Sequence, residues 1–394
     1  MDIPVLAIHI WDAYVAGVVR LNLIDIGPVF EAVGYAEVNR NILLNLHRRG
    51  VNIRLIPKRL GVTSVGLDPR EEELFSRMIN NSGTMVNPVS LFVFIGAFFS
   101  PTPGSYSIGL TMLESDRIPA SWVGRCNMMN EIWVPSTFNY HTFTASGMPA
   151  EKVRVMHLGV DADRFRPGVP PLYIPGRRGF AFLSVFEWIP RKGYDLLIRA
   201  FLEEFRADED VCLILKVHDN SSYDPNGVKI KGEVDNLRAQ VGSSGPPIIV
   251  MASILPPAAV PQLYAAADCF VLPTRGEGWN MPAMEAMACG LPVISTRWSA
   301  HLDFMNADNS YLVDIEGLEP IPRFGIANDA VYDGAYWARP SVAHLKRLMR
   351  QVYENRDAAR AVGMRASGYV RERFSWDSST GKMYERLLEI QGQQ

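Results

Sequence analysis

The chain has 394 residues, with 39 Lys and Arg against 42 Asp and Glu, a formal net charge of −3, and 48% apolar against 21% charged residues. That length predicts two domains or one large one, with ample apolar material for a core, and the balanced charge argues against bulk nucleic-acid binding, which shows as a basic excess. Four cysteines, Cys126, Cys212, Cys269 and Cys289, stand far apart without a CxxC pair, which argues against a disulfide framework or a cysteine-based zinc site and makes a reducing cytoplasm the expected compartment.

In chain order, PVLAIHI near the N-terminus predicts a buried strand. Its surroundings carry Asp2 and Asp12 and no early Lys or Arg, the wrong polarity for a secretory signal. A helix over residues 37–49 follows, and VNIRLI, LFVFIGA, EIWVPS and KVRVMHLG read as strands. No apolar run reaches the roughly 18 residues of a membrane-spanning helix. Residues 167–179, PGVPPLYIPGRRG, concentrate Pro and Gly without a hydrophobic period, the signature of a linker. Beyond it GFAFLSVF, VCLILKVH, PIIVMA, CFVLPT and LPVIST are strands, with helices over 194–205, 260–267 and 282–289. Residues 317–338, rich in Pro, Gly and Asp, are expected to form a long surface loop. Buried strands alternating with helices predict an α/β fold of two doubly wound domains facing each other across a cleft.

The chemistry concentrates in DCFVLPTRGEGWNMPAMEAMACGLPVIST, residues 268–296. CFVLPT is a strand, RGEGWN a loop, and PAMEAMAC a helix that Asn280 can cap, with Pro282 in its first turn and Gly290 just past its end. The loop therefore lies at the carboxyl end of a parallel strand, where open sheets bind ligands. A helix N-terminus offers free N–H groups and partial positive charge to a diphosphate. Glu277 in the loop and Glu285 one turn into the helix flank that terminus. Carboxylates do not hold phosphate, but each accepts two hydrogen bonds from a vicinal diol. A diphosphate with a polyhydroxyl group on either side is a nucleotide-sugar. The bare E-x7-E spacing means little alone.

With its surroundings, EGWNMPAMEAMACGLPVIS closely resembles the signature of the retaining GT-B glycosyltransferases of glycosyltransferase family 4 (GT4). FEWIPRKGYDLLIRAF resembles the family segment in which a basic pair follows a strand, and Arg191 and Lys192 match its diphosphate-binding pair. Cations suit a departing nucleoside diphosphate when no metal is present. VRVMHLGVDADRFRP resembles the end of the family's first domain, with His157 and Leu158 where a Pro-Asn-like pair is usual. ASILPPAAVPQLYAAADCFVLPT resembles the segment whose backbone contacts the base, near Ile254. GPVFEAVGYAEVNRN resembles the opening loop and helix, with Gly34 at a position suited to close approach of a phosphate. Many relatives carry a histidine in the segment here reading SIGLTMLESDR; this chain offers Glu114 instead. A carboxylate there would contact the donor sugar, deprotonate the acceptor, or steady charge at the anomeric carbon; a salt-bridged acid near Asp116 and Arg117 is the plainer alternative.

The resemblance implies two Rossmann-like domains, residues 1–168 and 169–374, with a last helix over about 375–394 crossing back to the first. It implies hexose transfer with retention, Glu285 on the ribose, Glu277 on the sugar, and Gly278, Trp279, Asn280 and Met281 presenting backbone around sugar and diphosphate. No metal and no cofactor beyond the donor is expected. UDP-glucose is the first choice of donor and GDP-mannose the next. The acceptor stays open among glycans, lipid-linked glycans and small molecules, so a peripheral visit to the inner membrane face stays open too. A non-catalytic nucleotide-sugar binder and a Rossmann oxidoreductase are the alternatives, the latter without a clean GxGxxG.

Overall fold

The computed structural model describes residues 21–60, 64–219, 224, 226–325 and 330–393; the strand expected at PVLAIHI lies outside them. The first sheet holds β1 (Asn22–Gly27), β2 (Asn52–Pro57), β3 (Val89–Val93), β4 (Tyr106–Leu110), β5 (Glu131–Val134) and β6 (Val153–Val155), in the order β2-β1-β3-β4-β5-β6 with every pair parallel. Its helices are α1 (Gly34–Arg48), α2 (Pro69–Ile79), α3 (Ala120–Asn127) and α4 (Thr137–Ala145). β1, β3 and β5 are buried along their whole length, as parallel strands covered by helices on both faces must be.

The second sheet holds β7 (Phe180–Glu187), β8 (Val211–His218), β9 (Ile248–Met251), β10 (Cys269–Leu272), β11 (Val293–Thr296) and β12 (Tyr311–Val313), in the order β12-β11-β10-β7-β8-β9, again all parallel. With α5 (Tyr194–Glu204), α6 (Val228–Val241), α7 (Val260–Ala265) and α8 (Met281–Ala288) it forms a second Rossmann-like unit. The two units give the α/β, GT-B arrangement that the sequence predicts. Between Val155 and Phe180 the described chain has no helix or strand. Leu172 N–H donates to the Gln262 carbonyl (2.8 Å) and Ile174 is buried, so this stretch runs along the second unit.

The expected loop over 317–338 is a correction. Its flanks are β13 (Ile315–Pro320) and β14 (Tyr336–Pro340), an antiparallel pair with a register shift between Ile315 and Leu318. The sequence hid them because the segment's Pro, Gly and Asp content masks two short strands, β13 largely exposed and β14 mixing exposed and buried residues.

Three helices end the chain: α9 (Val342–Glu354), α10 (Arg356–Arg373) and α11 (Trp376–Gly392). α11 returns to the first unit. Arg386 Nε donates to Glu131 Oε1 at the start of β5 (3.1 Å), and Arg49 just past α1 pairs with Asp377 (2.7 Å). Val160, on the stretch leaving the first unit, exchanges backbone hydrogen bonds with Phe374 (2.8 Å) and Trp376 (3.1 Å).

Candidate active site

Strand order reverses in the second sheet between β7 and β10, the switch point at whose carboxyl edge doubly wound sheets bind ligands. The loops after both strands meet there. Arg191 and Lys192 lie on a short 3-10 turn, Pro190–Lys192, ended by Gly193 at φ +68°. A Cβ on Gly193 would stand 2.1 Å from the Pro273 carbonyl oxygen, so only glycine lets the two loops touch. The Arg275 N–H then donates to the Arg191 carbonyl (2.7 Å), and the Arg275 guanidinium donates to the Pro190 carbonyl (2.7 Å). The basic pair is thus fastened to the loop carrying Glu277.

The charged groups form one network. Lys192 Nζ lies 2.7 and 2.9 Å from the two Glu277 carboxylate oxygens, and Arg191 Nη1 reaches Glu277 Oε2 (3.2 Å) and the Gly276 carbonyl (2.7 Å). Glu114, from the segment after β4, meets Arg191 Nη2 through Oε1 (3.3 Å) and accepts from the Tyr332 hydroxyl through Oε2 (2.7 Å). Arg117 pairs with Asp116 (2.8 Å), so Glu114 is a salt-bridged acid whose partner is Arg191 rather than Arg117. Burial alone would raise the Glu277 carboxyl; Lys192 and Arg191 overcome it and hold the group down at about 2. Burial lowers the Lys192 ammonium, reinforced by Arg191 and opposed by Glu277. For Arg191 the same desolvation is outweighed by Glu114 and Glu277, which raise it.

Asn280 caps α8 as expected: its side-chain oxygen accepts from the Ala283 N–H (3.3 Å), with the backbone at φ 77°. Neither backbone nor side-chain acceptors among the described residues take the N–H groups of Gly278, Trp279, Asn280 or Met281. Trp279 packs its indole in an aromatic group with His157 (5.5 Å, stacked), Phe304 (5.1 Å) and Phe374 (6.0 Å). A Cβ on Gly278 would stand 2.6 Å from Met112 Cγ, and one on Gly276 would stand 2.0 Å from the Glu114 carbonyl oxygen. The two glycines let the second unit's loop lie against the first unit's Met112–Glu114 segment.

Glu285 stands apart from this network. It accepts from the Tyr264 hydroxyl (2.7 Å) and lines a small cavity between the units with Met281, Glu37, Asp161 and Trp376. Burial pushes its carboxyl up to about 7, against the Tyr264 hydrogen bond. Gly34 is the first residue of α1, with open space where a Cβ would be. Ile254 is 58% exposed in the loop after β9. Neither shares a polar contact with the charged network among the described residues.

Several participants carried no sequence signal. Tyr332 falls within the segment expected to be a loop. Ser299, whose hydroxyl accepts from the Glu277 N–H (3.0 Å), stands in the stretch WSAHLDF, which carries no motif. Tyr35, beside Gly34, donates its hydroxyl to the Met112 carbonyl (3.4 Å) and accepts from the Met112 N–H (3.2 Å), which ties α1 to the segment holding Glu114. Among the described residues no group of three or more His, Cys, Asp or Glu is placed to hold a metal ion, and no helix is long and apolar enough to cross a membrane.

Residues 177–319 match the family model described as glycosyl transferases group 1. The chain is 26% identical over 300 residues to a D-inositol 3-phosphate glycosyltransferase of Nocardia farcinica, covering 74% of this chain and 56% of that protein. It is 30% identical over 154 residues to the enzyme of the same name from Segniliparus rotundus, covering 37% of this chain and 32% of the relative. The chain thus spans about a third to just over half the length of these relatives. Among solved structures, that of Anabaena Alr3699/HepE in complex with UDP-glucose superposes with a TM-score of 0.65 at 14% identity, covering 94% of this chain and 100% of the other; at that identity the likeness concerns the fold.

Proposed function

We propose that this chain is a retaining GT-B glycosyltransferase of family 4 that moves a hexose from a nucleotide-sugar to an acceptor hydroxyl without a metal ion. One observation carries the reading: a buried Arg191 and a half-buried Lys192 held against Glu277 at the sheet's switch point, beside the N-terminus of α8. The match to glycosyl transferases group 1 over this same region supports it.

The network holds two cations and two carboxylates, so it is balanced without a ligand. A diphosphate entering at Arg191 and Lys192 would draw both cations, releasing Glu277 to accept from sugar hydroxyls. The N–H groups of Gly278 to Met281 would hold sugar and phosphate oxygens. Glu285 would accept from the ribose diol. The acceptor oxygen would bond to the anomeric carbon on the face from which the diphosphate departs. Its proton would pass to the leaving phosphate oxygen, and the configuration would be retained. Glu114 would steady positive charge at that carbon or assist the proton's transfer.

For the donor, UDP-glucose comes first, supported by the fold's likeness to a protein solved with that ligand, and GDP-mannose next. Glycan, lipid-linked glycan and small-molecule acceptors all fit, with the protein cytoplasmic and peripheral at the inner membrane face when the acceptor is lipid-linked. Proton NMR of UDP-glucose turnover in EDTA, with water as acceptor, tests the chemistry. Retention predicts release of UDP with the α anomer of glucose appearing first. Initial β-glucose would make the enzyme inverting, and dependence on added divalent metal would contradict the cationic site.

A further inference from the structure

Glu114 lies between β4 and α3, on a stretch with no helix or strand of its own. A carboxylate on such a stretch keeps one orientation only while both oxygens are held. Arg191 holds one oxygen (3.3 Å) and Tyr332 the other (2.7 Å). In the reaction proposed above, a diphosphate draws the Arg191 guanidinium, and Tyr332 is then the anchor that remains.

Tyr332 is itself well fixed. It belongs to an arm whose described residues, 315–325 and 330–340, are fastened to both units. At the arm's root Arg275, from the loop that carries Glu277, pairs with Glu319 (3.1 Å), lies over the Trp337 ring (5.5 Å) and accepts the Ala338 N–H at its carbonyl (2.9 Å). The far part is seated on the first unit. The Tyr332 ring stacks on Phe324 (5.9 Å) and is buried with Leu113, Ile118 and Trp122. Next to Glu114, Asp116 donates its N–H to the Tyr336 carbonyl (3.0 Å) and accepts the Tyr336 N–H at its side chain (2.7 Å). Burial and the nearby Glu114 charge hold the phenol well above its usual range, so it stays a hydrogen-bond donor to the carboxylate.

We propose that Tyr332 is a positioning residue for transfer: through the arm rooted on Arg275 it fixes the Glu114 carboxylate of the first unit in register with Arg191, Lys192 and Glu277 of the second. The inference rests on the glycosyltransferase reading and on Glu114 acting within it.

The test is steady-state kinetics of UDP-glucose turnover for the wild type, Tyr332→Phe, Glu114→Gln and the double variant, with melting temperatures alongside. Tyr332→Phe removes one oxygen and keeps the ring. It is expected to lower kcat about tenfold while the donor KM stays within about twofold, because the phenol's hydrogen bond goes to Glu114 and, among the described residues, to none of Arg191, Lys192 and Glu277. The double variant should be no slower than Glu114→Gln alone, since both changes remove one coupled unit. A purely structural role would instead lower the melting temperature and leave kcat of the folded enzyme unchanged, which overturns the proposal. Losses that multiply in the double variant overturn it too. Wild-type turnover matched by Tyr332→Phe sinks this inference alone, whereas a wild type that neither binds nor turns over UDP-glucose or GDP-mannose sinks the function and the inference with it.

Discussion

At the scale of single residues, the site is a problem of buried charge. Lys192 and Glu277 sit 2.7 Å apart with side chains 12% and 5% exposed, where desolvation costs each ion several kcal/mol unless a partner offsets it. Glu277 is over-provided, with two cations, Lys192 and Arg191, on its carboxylate. Glu285 is under-provided, with the Tyr264 hydroxyl its one hydrogen-bond donor among the described residues. The two carboxylates of the E-x7-E spacing therefore shift in opposite directions, to about 2 and about 7. A carboxyl raised in the folded state stabilises the fold below its ordinary value of 4.5 and loses that contribution as the pH climbs to about 7. Glu285→Gln is accordingly expected to gain melting temperature over the wild type progressively between pH 4.5 and 7, with the gap constant above that. Melting curves across that range check it; a gap independent of pH would show that Glu285 is solvated as an ordinary surface acid.

At the scale of elements, what counts is which loops are allowed to touch. Gly193 joins the turn bearing the basic pair to α5, and its Cβ position is taken by the Pro273 carbonyl. Gly193→Ala would add both a left-handed backbone penalty and that collision, costing at least about 2 kcal/mol of stability and prising Arg191 from Arg275. Urea unfolding should show the loss, and an unchanged midpoint would mean the two loops are not packed as described. The strand–loop–helix–strand unit from Cys269 to Thr296 was legible in the sequence because each part announces itself locally: an apolar run, glycines without a period, a cap, good helix formers, then another apolar run. Arg191 and Lys192 were legible through resemblance to a family segment. The arm from β13 to β14 was not, since its short strands are half exposed. The Tyr332–Glu114 contact joins residues 218 positions apart, and no local pattern encodes such a meeting.

At the scale of the whole molecule, the two units face each other with the network between them, and several contacts besides the arm hold that approach. Asp303 of the second unit accepts from Thr137 N–H (2.7 Å) at the start of α4 and lies 3.1 Å from His157 Nε2. A carboxylate at a helix N-terminus is favoured by the terminus's partial positive charge. α11 crosses back to brace the first unit through Arg49 and Arg386. In the transfer proposed above, such a frame would suit closure around a donor that water would otherwise hydrolyse. In the proposed function the charged pair, the α8 N-terminus and Glu285 together form a metal-independent nucleotide-sugar site. A thermal-shift panel of UDP-glucose, other UDP-sugars, GDP-mannose, UDP and NADPH, in EDTA, on the wild type and Glu285→Ala, tests it most directly. A selective nucleotide-sugar shift that survives EDTA and weakens in the variant is expected; a flat response to every nucleotide-sugar at saturating concentration, or a shift with NADPH alone, would overturn the proposed site.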